Sequence, residues 1–157
     1  MNSDAHRSLE VVLDRELEAA RTLATTLEAE RVALTGKSPE AVMQMAAEKI
    51  QLFGVIEALE AERTRLCADA RISLPKAPGK GRPLVVSGVS DSVADRWHTL
   101  LELIARCRKS NDINGYIINA RRGQLNQLFQ VLRGGVPITY SPQGKTFAKS
   151  LRALAQA

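Results

Sequence analysis

Residues 90–132 read SDSVADRWHTLLELIARCRKSNDINGYIINARRGQLNQLFQVL, and this stretch decides the fold. Trp97, Leu100, Leu101, Ile104 and Cys107 recur every three or four residues, the spacing of a helix with one apolar face. The stripe then meets Asn111, Asn114 and Gly115 before resuming at Ile117, Ile118, Leu125, Leu128 and Leu132. Asparagine and glycine lower helix propensity, so a core alone would not choose them at this seam. Ser90-Asp91-Ser92 offers a cap at the start, and Gly134-Gly135 with Pro137 ends the pattern. One long helix over 90–133 is expected, with the rest of the chain as its scaffold and tail.

Working backwards, two more helices precede it. Leu13, Leu17, Ala20, Ala24, Leu27 and Leu34 follow the four-three spacing of a coiled-coil seam over residues 5–35, interrupted by Arg31. Gly36 suits the left-handed end of a helix, and Ser38-Pro39-Glu40 supplies a cap, a pre-set first residue and a favourable charge. So short a connection predicts an antiparallel second helix over 39–72. Its apolar line is Val42, Met45, Leu52, Ile56, Leu59, Leu66 and Ala70, with Lys49 and Arg63 as polar breaks. A two-helix hairpin buries too little to be comfortable alone, so the third helix must complete it.

Residues 73–89, SLPKAPGKGRPLVVSGV, carry three prolines and three glycines and read as a linker, with Leu84-Val85-Val86 as an anchor to the core. Beyond the third helix, VPITYSPQGK suggests an extended piece with a turn. Residues 146–157 suit either a short helix bearing Phe147, Leu151 and Leu154 or a disordered end. The expected fold class is therefore all-α: an elongated bundle of three long helices, with an N-terminal antiparallel coiled-coil-like hairpin and a flexible C-terminal tail. All 157 residues form one domain.

Composition narrows the function. No apolar run approaches the roughly 18 residues needed to span a bilayer, and the N-terminus lacks the basic start and apolar core of a secretion signal. A cytoplasmic protein is expected. Cys67 and Cys107 read as small buried hydrophobes; with His6 and His98 they give no metal-ligand spacing. No nucleotide-binding or nucleophile motif is present, so neither an enzyme nor a cofactor is expected. Residues 1–72 hold nine Lys/Arg against thirteen Asp/Glu, net −4, and residues 73–157 hold thirteen against four, net +9. The basic half raises nucleic-acid binding as one alternative, although base-stacking aromatics are sparse. The coiled-coil seam raises a homo-oligomeric scaffold as another, against which the Gly36–Pro39 turn favours an internal hairpin.

Trp97, Leu100, Ile104 and Cys107, followed by Asn111-Asp112-Ile113-Asn114-Gly115-Tyr116-Ile117-Ile118, resemble the signature of the FlgN family of flagellar type III export chaperones. Tyr140-Ser141-Pro142-Gln143-Gly144-Lys145 is similar to that family's C-terminal Tyr-x-x-x-Gly-basic element. The resemblance implies a cytoplasmic chaperone whose clients are the hook–filament junction proteins FlgK and FlgL, bound through their amphipathic C-terminal segments. It also implies delivery to the export gate FlhA, with Tyr140 as the gate contact. Weak self-association is compatible with that role.

Asn111, Asn114, Gly115, Ile118, Leu125, Leu128 and Leu132 are the candidate client-binding residues. The two asparagines can serve a partner helix or hydrogen-bond within the bundle. Gly115 permits close approach in either case. Leu125 and Leu128 also suit the protein's own core, as does Trp97 near the helix start.

Overall fold

The computed structural model of the protein describes residues 2–75 and 88–132, with the backbone alone for Asn2, Ser3, Leu125, Leu128, Phe129, Val131 and Leu132. Three helices, α1 (Asn2–Thr35), α2 (Pro39–Ala70) and α3 (Asp91–Leu132), form an all-α bundle. Their ends fall within three residues of the spans expected from sequence. The Leu84–Val86 anchor and the readings of residues 134–157 lie outside the described residues.

Local chemistry sets the boundaries. The Gly36 amide donates to the carbonyls of Val32 and Ala33, closing α1. Ser38, in extended conformation, accepts the Ala41 amide at 3.3 Å while Pro39 occupies the first turn of α2. At the other end Arg71 takes a left-handed conformation, φ 55°, and the Ile72 amide donates back to the Cys67 carbonyl at 2.8 Å. The Ser90 hydroxyl then accepts the Val93 amide to cap α3.

Contacts along the rods fix their directions. Glu16 meets Arg63 and Glu30 meets Lys49, so α2 runs antiparallel to α1. Cys107 lies against the Ala20 carbonyl and Arg121 reaches the Gly36 carbonyl, so α3 runs parallel to α1. Both outer helices lean on α1, while their own backbones scarcely meet. α1 is consequently buried on a broad face, with Leu9, Leu13 and Leu27 each at 1% exposure or less.

Two apolar layers result. Leu9, Leu13, Leu17 and Ala20 pack with Cys67, Val93, Trp97 and Leu100, and Leu74 and Val89 close over them. Ala19, Leu23 and Leu27 pack with Phe53, Ile56, Leu59 and Cys107. Truncating a fully buried leucine in such a layer typically costs about 2–5 kcal/mol. Trp97 anchors the first layer as expected, and its indole N–H donates to the Pro75 carbonyl at 2.9 Å. Both cysteines are buried free thiols, and burial pushes each of them up in pKa.

Lys49 and Arg63 do not break the apolar line of α2 as the sequence suggested; both point inward to acids on α1. The Arg63 Nε–H donates to both carboxylate oxygens of Glu16, at 3.1 and 2.9 Å, and its guanidinium lies 4.6 Å from the Trp97 ring centroid. One arginine thereby ties all three helices. Burial pushes the Glu16 carboxyl upward in pKa, against the pull of the Arg63 charge and hydrogen bond. A folded state that holds its proton more tightly than the unfolded chain loses that advantage as pH rises through the raised value. Relative to a Glu16→Gln variant, the parent's urea midpoint should therefore fall as pH rises above about 4.5, the ordinary value. A parent that gains on the variant over that window would show Arg63 outweighing burial.

Candidate functional site

Two heptads along from the Glu16–Arg63–Trp97 tie, every helix presents a polar residue again, at Glu30, Lys49 and Asn111. Here the interior is a hydrogen-bonded cluster. The Lys49 ammonium donates to Glu30 Oε1 at 2.6 Å and to Asn111 Oδ1 at 3.3 Å. The Asn114 amide donates to Glu30 Oε2 and to the Leu27 carbonyl, both at 2.8 Å, and its Oδ1 accepts from Arg31 Nε at 3.3 Å. Asn114 is fully buried, Glu30 is 1% exposed and Lys49 6%. A buried charge pair survives only when its remaining lone pairs and protons find partners, and the two asparagines supply them. Arg31, which looked like an interruption of the α1 seam, also reaches across to α3.

This placement settles the geometry of the Asn-x-x-Asn element. Asn114 presents no surface, and both ends of its amide are engaged within the bundle. Asn111 is half-buried and serves Lys49. Gly115, next to them, is a different case. A Cβ built there would meet no atom within 4 Å, so packing inside the bundle does not require glycine at this position.

Downstream of the cluster the seam of α3 continues in strict register. Val93, Leu100, Cys107 and Asn114 are spaced by seven residues and buried; the same line reaches Arg121 and Leu128. Trp97, Ile104 and Asn111 form the companion line, which continues through Ile118, Leu125 and Leu132. The sequence carried this repeat openly, and matching sevens rather than threes and fours reveals it. Ile118, the next position of that companion line past Asn111, is 41% exposed.

The hairpin then runs out. Arg121 stands level with Gly36 at its turn, donating to that carbonyl at 3.3 Å, and eleven further residues of α3 continue beyond it. At 1.5 Å per residue the overhang is about 16 Å. Leu125, Leu128 and Leu132 lie on its backbone in the register of the seam, where neither α1 nor α2 continues. Arg121, Arg122 and Gln124 are exposed around it. Ile113 and Tyr116 occupy other faces of α3, with Tyr116 74% exposed. Tyr140 lies outside the described residues.

The charged cluster yields a stability test. Lys49→Met leaves Glu30 buried without its cation and should cost about 3–5 kcal/mol in urea unfolding. Adding Glu30→Leu should recover most of that loss. A single substitution that is neutral would mean that water already relieves the pair.

Among the described residues, no helix is long and apolar enough to cross a membrane, and no group of His, Cys, Asp or Glu is placed to hold a metal ion. No curated protein and no solved structure matches the chain. A family model, FlgN protein, does match, over residues 1–147. With nearly its whole length covered by that match, and with an all-α three-helix body, the chain belongs to the FlgN family of flagellar export chaperones.

Proposed function

We propose that this chaperone takes the amphipathic C-terminal segment of a hook–filament junction protein, FlgK or FlgL, onto the overhanging end of α3. The observation that carries this reading is the heptad seam continuing past the end of the hairpin. A seam that has lost its partner helices invites another helix with a matching apolar stripe. A client segment that is unfolded when free can supply that helix, ordering as it binds. The ordering cost holds affinity down, which suits cargo that must be released.

Within this reading the candidate residues take two roles. Ile118, Leu125, Leu128 and Leu132 form the contact line, and open space at Gly115 lets the client backbone approach closely at its upstream end. Asn111 and Asn114 act from beneath, locking the register and direction in which α3 leaves the hairpin. Loading takes place in the cytoplasm, and Tyr140, carried in the segment after α3, meets the gate protein FlhA. That assignment rests on the family's Tyr-x-x-x-Gly-basic element.

Titration with a peptide from the C-terminal end of a junction protein tests the contact line. Ile118→Asp and Leu125→Asp should each weaken binding at least about tenfold, equivalent to roughly 1.4 kcal/mol, with helicity by circular dichroism retained. Parent-like binding by both folded variants would remove the site from α3. Deleting residues 134–157 should leave helicity and peptide binding nearly unchanged while abolishing capture by the cytoplasmic domain of the gate. Retained gate capture would dissociate Tyr140 from that role.

A further inference from the structure

Among the described residues, a second surface without a partner lies on α2, turned from the side that meets α1. Met43, Ala47, Ile50 and Gly54, spaced four-three-four and continued by Ala58 and Ala61, form one exposed stripe. It lies roughly 125° around the helix from the inward line of Lys49, Phe53 and Ile56, at 100° per residue. Met43 is 72% exposed and Ile50 55%. Gly54 sits at mid-helix, where glycine is unfavourable, and a Cβ there would meet nothing within 4 Å. Small residues at Ala47, Gly54 and Ala61, seven apart, would let a neighbouring backbone come close.

Charge and chain length point to one occupant. Over residues 39–58 the exposed charges of α2 are Glu40, Glu48 and Glu57, while its lysine, Lys49, is turned inward to Glu30. Residues 133–157 contain Arg133, Lys145, Lys149 and Arg152 and no Asp or Glu. Phe147, Leu151 and Leu154 fall at four-three spacing among those cations. The sequence analysis left this segment between a short helix and a disordered end. A helix over 146–157 would be about 18 Å long, the length of the stripe from Met43 to Gly54.

The connection reaches. α3 ends about 16 Å beyond the hairpin turn, and Met43 lies about 6 Å back along α2 from that turn. Residues 133–144 can span up to about 40 Å when extended. We propose that residues 145–157 of this chain dock on the outer face of α2, apolar side down, with Lys145, Lys149 and Arg152 toward Glu40, Glu48 and Glu57. The docked segment covers Met43 and Ile50 and leaves the overhang of α3 free. This contact is independent of which client the overhang holds.

A spin label on the full-length chain tests it. Ser150→Cys carries a nitroxide, the native thiols of Cys67 and Cys107 being buried, and broadening of the Met43 and Ile50 methyl signals is read by NMR. Strong broadening is expected, undiminished on dilution, reduced by high salt, lost at both signals in Glu57→Lys and lost at Met43 in Ile50→Lys. Both substitutions fall at exposed positions, so the fold persists. Unbroadened Met43 and Ile50 signals would overturn the proposal, whether Ile118 is broadened instead or nothing is. So would broadening that appears only when a labelled chain is mixed with an isotope-labelled one, since the occupant would then be a second copy.

Discussion

The architecture depends on a charge pair placed where charges are expensive. Lys49 and Glu30 meet at 2.6 Å in the interior, and the pair is tolerable because Asn111 and Asn114 of α3 complete its hydrogen bonding. Apolar layers alone do not distinguish one heptad register from the next, since leucine packs acceptably against many neighbours. A buried acid, a buried base and two amides that must coincide do distinguish it. The Glu16–Arg63–Trp97 tie repeats the device two heptads away. With both ties engaged, none of the three helices can slide by a turn without stranding a charge.

That constraint explains how a thin structure gives α3 a defined direction. α3 leans on α1 along most of its length and meets α2 through side chains, at Asn111 and Trp97, with little approach of the two backbones. Its end projects past the hairpin, where neither α1 nor α2 continues. Among the described residues the cluster at Asn114 is the last buried point before the projection, so it sets the angle at which α3 leaves the hairpin.

Much of this could be read in the sequence. The three helices follow from apolar spacing, and their limits from Gly36, Ser38-Pro39 and Ser90, because caps and breakers act locally. The direction of α2 followed from a short turn. Polar residues on apolar faces were harder. Lys49, Arg63 and Arg31 read as interruptions because their partners are remote in sequence: Glu30 and Glu16 on a neighbouring rod, Asn114 more than eighty residues away. The equal spacing of Glu16 to Glu30 and of Lys49 to Arg63, on helices expected to be antiparallel, was the available clue. Cys67 is buried as its residue type suggested, whereas Phe53 was missed in the α2 core line because α2 turns residues beside its main stripe into the layers shared with α1 and α3. The asparagines could not be assigned from sequence, since an amide serves an internal acid and an external helix equally well.

A shared spine has a consequence for how the molecule comes apart. Because α2 and α3 are joined chiefly through α1, no pair of outer helices can persist once α1 detaches. Opening events should be hierarchical: the far end of α3 and the outer turns fray freely, whereas amides of α1 between Leu9 and Leu27 exchange only through global unfolding. The slowest-exchanging helix is thus synthesised before the two that cover it. The nascent protein must hold an amphipathic rod in waiting while residues 36–121 arrive to enclose it.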